Sequence, residues 1–333
     1  ACLVVRGEPL CAAIASRAIE GVEDFDSQAL ANTAWAFAKL QLADQPLFSA
    51  LSRLALPLMS DLQPQEISNI AWSFATCSFS DAPLLQAISQ AAQRQIATFD
   101  PQNVTNTAWA FAVLLVHDLP FLDAIALRFL SLRGRDASEN WRIEEIPPQE
   151  LANLSWACAK LGYLNQPLMD AIAAASVENI PEFSPLNLSI TAWSFAALRI
   201  RDCTLFEALA EASVSKIAAF SQQHLSNTAW ALATIPVLDK PLLSAISIAS
   251  LPSMSYCDQQ NLANTAWALA SLLYTDGPLL QAISEQAVHL ITEFQVQGVA
   301  NLVWAVAKLA FANLPLMDAM ASSALLTSLR KSS

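Results

Sequence analysis

The sequence predicts an all-α fold, an α-solenoid of eight helical-hairpin repeats preceded by half a repeat, and three observations predict it. A tryptophan returns at Trp35, Trp72 and Trp109, and again at Trp156, Trp193, Trp230, Trp267 and Trp304, with a 37-residue step everywhere except the 47 residues from Trp109 to Trp156. Asp or Asn follows each of these tryptophans nine residues later, and in seven units Pro comes two residues beyond that. The 333 residues include only six glycines and no alternating apolar and polar runs. A fixed period of roughly 20–50 residues is the mark of a stacked array, which grows in one dimension and need not split into globular domains.

Residues 1–25 come first. Pro9 stands in phase with Pro46, which makes this stretch the second half of a truncated unit, so that a targeting peptide or another domain has room to precede it. Residues 26–333 carry the eight units, with a ten-residue insertion around 131–146. Within a unit, counting from its tryptophan as zero, alanine occupies +3 in all eight, from Ala38 to Ala307. Starts such as Asp26-Ser27-Gln28, Asp100-Pro101-Gln102 and Ser184-Pro185 put a capping oxygen before a first turn that tolerates proline. The first helix is therefore expected from about nine residues before the tryptophan to about five after it. The second helix starts at the Asp or Asn nine residues after the tryptophan, from Asp44 to Asn313, and carries a constant alanine at +15, from Ala50 to Ala319. It is expected to run for roughly 12 to 16 residues, with short loops on either side.

A helical wheel divides the first helix into three faces. Positions −5, −2 and +2 are mostly apolar, as in Leu30, Thr33 and Phe37. Small residues at −4, −1 and +3 surround the tryptophan, which is expected either to fill the gap between hairpins or to offer a stacking platform for bases. The third arc collects −6, −3, +1 and +4, and it alone changes chemistry between units. Asparagine holds −3 in seven units, as Asn32, Asn69, Asn106, Asn153, Asn227, Asn264 and Asn301, with Ile190 the exception. A buried amide needs partners, so this ladder either bonds a neighbouring loop or contacts base edges or ribose. Position −6 reads Ala29, Glu66, Asn103, Glu150, Asn187, His224, Asn261 and Gly298. Its two readings are a helix cap and a variable reader of sequence. Position +4 holds Lys39, Lys160 and Lys308 among small residues. The insertion adds Arg133, Arg135, Trp141 and Arg142 beside Arg128, placing four of the 17 basic residues within 15 positions. It is either a clamp for nucleic acid or a partner, or a tolerated loop.

Composition closes off several function classes. Hydrophobic residues make up 54% and mean hydropathy is +0.39, yet every apolar stretch is interrupted. His117, Asp118, Pro120, Asp123 and Arg128 break the one from Ala108 to Leu130. A membrane span needs about 18 continuous apolar residues, so insertion into a bilayer is not expected. Six dispersed cysteines fit a reduced compartment. His117, His224 and His289 are far apart, and neither metal-ligand spacing, a phosphate-cradling glycine loop nor a nucleophile elbow occurs. No enzyme, metal, cofactor or small-molecule substrate is expected.

The strings from Leu30 to Ala38, Leu151 to Ala159 and Leu262 to Ala270 resemble the signature of octotricopeptide repeats and their 37-residue heptatricopeptide relatives. The resemblance runs from about Gly21 to the end of the chain. It implies an organellar RNA-binding solenoid, in chloroplast or mitochondrion, acting in RNA processing, stability or translation. It also implies that the first helices make the contact, here through the −6, −3 and +4 arc. Single-stranded RNA is thus one expected partner. The net charge of −12 opposes phosphate attraction, which supplies most non-specific nucleic-acid affinity. A protein-interaction scaffold, with an acidic surface receiving a partner protein or peptide, is the alternative.

Overall fold

The computed structural model describes residues 8–131, 145–311 and 313–321. All regular structure among them is helical: α1 (Glu8–Glu20), α2 (Ser27–Lys39), α3 (Gln45–Leu58), α4 (Pro64–Thr76), α5 (Ala82–Gln95), α6 (Pro101–Val113), α7 (Leu119–Ser131), α8 (Pro148–Lys160), α9 (Gln166–Asn179), α10 (Pro185–Ala197), α11 (Cys203–Lys216), α12 (Gln222–Thr234), α13 (Lys240–Ser250), α14 (Gln259–Ser271), α15 (Gly277–His289), α16 (Val296–Lys308), and a short helix over 314–321. Even-numbered helices carry the tryptophans. Contacts gather the chain into two units, Ala1–Ile172 and Ala173–Ser333, with the boundary inside α9.

In the first unit α2, α4, α6 and α8 pack side by side as one layer, while α1, α3, α5 and α7 follow one another in the second. In the second unit α10, α12, α14 and α16 form the first layer, and α11, α13 and α15 the other. The core lies between the layers. Phe74 at +2 meets Phe48 edge-on at 5.0 Å between ring centroids, and Phe111 lies 4.5 Å from Phe121. Alanines at −1 and +3, such as Ala34, Ala38, Ala71 and Ala75, are buried where even helices touch. With only a methyl to accommodate, neighbouring backbones come close.

Helix ends follow the local chemistry. At all eight second-helix starts the Asp or Asn carbonyl-type oxygen accepts from the backbone N–H three residues on, at 2.8–3.0 Å, from Asp44 with Leu47 to Asn313 with Leu316. In three units the second carboxylate oxygen also accepts from the previous hairpin: Ser52 donates to Asp81, Ser89 to Asp118 and Ser247 to Asp276, at 2.6–2.8 Å. One aspartate thus caps its own helix and ties it to its neighbour. The even helices stop at +6, where Gln41, Ser78, Leu115, Gly162, Arg199, Leu273 and Ala310 have φ of 50–62°. The next N–H reaches back five residues, as in Leu42 to Phe37 and Tyr274 to Leu269, both 2.9–3.0 Å, closing a Schellman turn. Pro236 fills +6 in the sixth unit. Its ring forbids positive φ, and Ile235 leaves the helix with φ −106° and ψ 77° instead.

The repeat tryptophans are neither fully buried between the hairpins nor more than half exposed. None of the eight is buried. Trp35 and Trp304 are 43% exposed, and the other six are half-buried. At +2 and −1 the hairpin interior is already filled by Phe or another apolar side chain and by alanine, so the indole lies at the rim of the even-helix layer. Arg133, Arg135, Trp141 and Arg142 of the insertion lie outside the described residues.

Candidate functional site

The accessible face of each even helix is a stripe of four positions: −7, −3, the tryptophan and +4. At about 100° per residue these fall within about 60° of one another, and the remaining positions turn inward except in α16, where Val296, Ala300, Val303 and Ala307 are exposed as well. Position −7 is an exposed glutamine in seven units, Gln28, Gln65, Gln102, Gln149, Gln223, Gln260 and Gln297, with Leu186 in the fifth. At −3, Asn32 is exposed, and Asn69, Asn106, Asn153, Asn227, Asn264 and Asn301 are half-buried. Lys39, Lys160 and Lys308 at +4 are exposed.

Indole rings form a ladder along this stripe. In the first unit Trp72 lies 6.4 Å from Trp109, and Trp109 lies 6.5 Å from Trp156, with ring planes 29° and 31° apart. In the second unit Trp193, Trp230 and Trp267 are spaced at 6.1 and 6.4 Å with planes 30° and 33° apart. Such distances suit offset aromatic pairs. Each indole along the stripe keeps part of its surface exposed.

The asparagines of the ladder bond no neighbouring loop. Among the described residues the carboxamides of Asn32, Asn69, Asn106, Asn153, Asn227 and Asn264 make no hydrogen bond, to a loop backbone or to anything else; Asn301 accepts from Gln297 at 3.1 Å. They do not stitch the array. A carboxamide carries an acceptor and two donors, and in six of the seven none of them is used among the described residues.

Bonds between neighbouring even helices come from −6 in three units, where Glu66, Asn103 and Asn261 are occupied as ties rather than free to read a ligand. Asn103 and Asn261 are buried; Asn103 donates to Ser68 at 3.2 Å, and Ser226 donates to Asn261 at 2.8 Å. Glu66 accepts from Ser27 at 3.1 Å across to the preceding helix, and from the Gln63 N–H at 2.8 Å as the second half of a capping box. The Ser221 N–H donates to His224 Nδ1 at 3.2 Å, and burial holds that imidazole below its usual range. Glu150 is half-buried with one carboxylate oxygen unpartnered, and desolvation, then Asp100, pushes its carboxyl upward. Asn187 receives the Ser184 cap through its backbone N–H at 3.2 Å. The wheel put −6 with −3, but −6 sits a further 60° round, into the neighbouring helix. The glutamines were missed for the complementary reason. They lie at the helix start, where a polar side chain reads as an ordinary first-turn residue; their seven-fold recurrence was the available signal.

Charge separates along the same line. No Asp or Glu occupies −7, −3, 0 or +4 in any repeat, and three lysines do, although the chain carries −12 overall. The carboxylates sit in helix caps and on second helices, as at Asp44, Asp81 and Asp276. Among the described residues no cluster of His, Cys, Asp or Glu fit to hold a metal occurs, and no helix is long and apolar enough to cross a membrane. Burial pushes Cys77 to about 11, and Cys158 and Cys257 to about 12.

A family model described as RNA-editing substrate-binding complex 6 protein matches residues 1–143 and again 137–330. Two passes of one model along one chain are what an internally repeated sequence allows. No curated protein matches the chain.

Proposed function

The chain belongs to the RNA-editing substrate-binding complex 6 protein family, which ties it to RNA processing in general, and on that premise we propose that its even helices bind single-stranded RNA sequence-selectively. The observation that carries this reading is the stripe itself: a row of part-exposed indoles flanked by carboxamides that, Gln297 and Asn301 aside, have no internal partner among the described residues. Indole faces stack on any unpaired base, at about 1–3 kcal/mol each. Carboxamides pair with base edges or the ribose hydroxyl. Constant Asn and Gln supply affinity, while the changing +4 residue beside them supplies preference. Successive bases of a duplex rise about 3.4 Å per strand, whereas the indoles are 6.1–6.5 Å apart. A strand taking one base per repeat is therefore drawn out and unpaired, and a duplex does not fit.

The octotricopeptide type, an organellar setting and action by binding alone, without a cofactor, belong to the same proposal and are supported by the repeat signature. Anisotropy titrations at low salt with single- and double-stranded RNA of equal length test it. Single strands bind at least tenfold tighter, and Asn106→Ala or Trp109→Ala weakens them. Equal binding of both forms, or binding of a basic peptide in place of RNA, overturns the reading.

A further inference from the structure

The last even-helix step is the one where −6 carries no side chain at all. Where Glu66, Asn103 and Asn261 reach from −6 into the preceding helix, the last repeat has Gly298, and the space stays open. Between α14 and α16 lies a cavity of about 270 Å³, walled by the carboxamides of Gln259, Gln260, Asn264, Gln295, Gln297 and Asn301, with Ala263 and Gly298. A Cβ on residue 298 would stand 3.0 Å from the Phe294 ring and 3.9 Å from Ala263. Gly298 thus lines the cavity with backbone alone, and a side chain there would have to find room between Phe294 and Ala263.

We propose that this cavity is a nucleobase pocket, taking one base of the bound RNA edge-on; the inference rests on the RNA-binding reading of the stripe and deepens it. Its volume is below the roughly 300–1,000 Å³ of drug-sized sites and suits one ring system. Its walls carry no charge, which suits neither a phosphate nor a basic side chain. They carry paired donors and acceptors, the pattern a base displays along its edge. Two of the amides are already oriented: Gln259 accepts from the Gln295 N–H at 2.8 Å, and Gln297 donates to Asn301 at 3.1 Å. Asn264 lines the cavity and makes no hydrogen bond among the described residues. Trp267, three residues on, stands beside it on the same helix face. Elsewhere the stripe offers open stacking; here it adds an enclosed edge. This step is therefore the most selective for base identity.

The test is a base-deletion scan with the full chain. Single-stranded oligoribonucleotides carry one abasic site, moved through every position, and are titrated against the wild-type chain and against Gly298→Asn, which places at −6 the residue that closes this space at Asn261. The expected result is one position where loss of the base weakens wild-type binding about tenfold, and where Gly298→Asn shows no such sensitivity. Asn264→Ala, which removes a cavity-lining carboxamide that makes no hydrogen bond among the described residues, should reduce the same sensitivity. If the wild-type chain binds the oligonucleotides but no position loses its sensitivity in either variant, the pocket inference is wrong and the RNA reading stands. If intact oligonucleotides do not bind at all, the RNA reading itself fails. If an extended peptide binds and its affinity falls in Gly298→Asn, the pocket belongs to a peptide amide, and the inference is overturned.

Discussion

Leu273 illustrates how single positions hold a repeat in shape. Its φ of 52° lies in the left-handed region, which costs a non-glycine residue about 1–2 kcal/mol, and the same price recurs at Gln41, Ser78, Leu115, Arg199 and Ala310. Glycine removes that strain but adds freedom to the unfolded chain, worth roughly 0.5–1 kcal/mol. Leu273→Gly should therefore stabilise by about 0.5–1 kcal/mol net, measured by urea unfolding; a loss of stability would mean that the exposed Leu273 side chain makes contacts that outweigh the strain. His224 gives a pH-dependent counterpart. Burial lowers its folded-state value below the usual 6.5, so the neutral ring is favoured by folding. Its contribution is complete above about pH 6.5 and is lost as pH falls from there through the lowered folded value. His224→Asn, the residue of Asn103 and Asn261, should flatten the fall in melting temperature below pH 6.5, as read by thermal melts at several pH values. The asparagine ladder was legible in the sequence from its period; its lack of internal partners was not, because whether an amide is satisfied depends on a neighbouring loop 37 residues away.

Elements separate what the period fixes from what packing decides. Helix number, the second-helix caps and the alternation of layers followed from spacing, since Asp-x-Pro and Trp-x-x-Ala recur in phase. The indole's position did not, because a tryptophan between alanines fits a buried knob as well as a rim. The two differ energetically. Phe195 is fully buried, and Phe195→Ala should cost about 3–5 kcal/mol. Trp230→Ala, which removes a half-buried ring and contacts with Trp193 and Trp267 worth about 0.5–1.5 kcal/mol each, should cost clearly less while weakening RNA binding more. Chemical unfolding and anisotropy of the two variants check the crossover. The fifth repeat is the weak element. It holds Ile190, exposed Leu186 and Thr204 in place of the recurring Asn, Gln and Pro, and the buried Thr191 hydroxyl lacks a partner. In an array each repeat relies on its neighbours, so amide exchange within 173–333 should be fastest among interior helices over 184–220; slowest exchange there would contradict the assignment.

Across the whole molecule, net charge and local charge point in opposite directions. The sequence total of −12 argued against a nucleic-acid partner, but the sum carried no information about placement: carboxylates serve as caps, and the stripe holds only lysines. Three exposed lysines imply about three phosphate contacts, and at about 0.7 per contact for single strands the slope of log affinity against log salt should be about −2. A slope near zero would remove phosphate contact from the account. The insertion arginines, outside the described residues, would steepen it. The most direct measurement of the central claim is photo-crosslinking of 4-thiouridine-substituted single-stranded RNA to the chain, with the attached peptides mapped. Crosslinks concentrated on the even helices, at peptides holding Trp72, Trp109, Trp156, Trp193, Trp230 and Trp267, are the predicted result. Crosslinks confined to α3, α5, α7, α11, α13 and α15, with the stripe unlabelled, would contradict it.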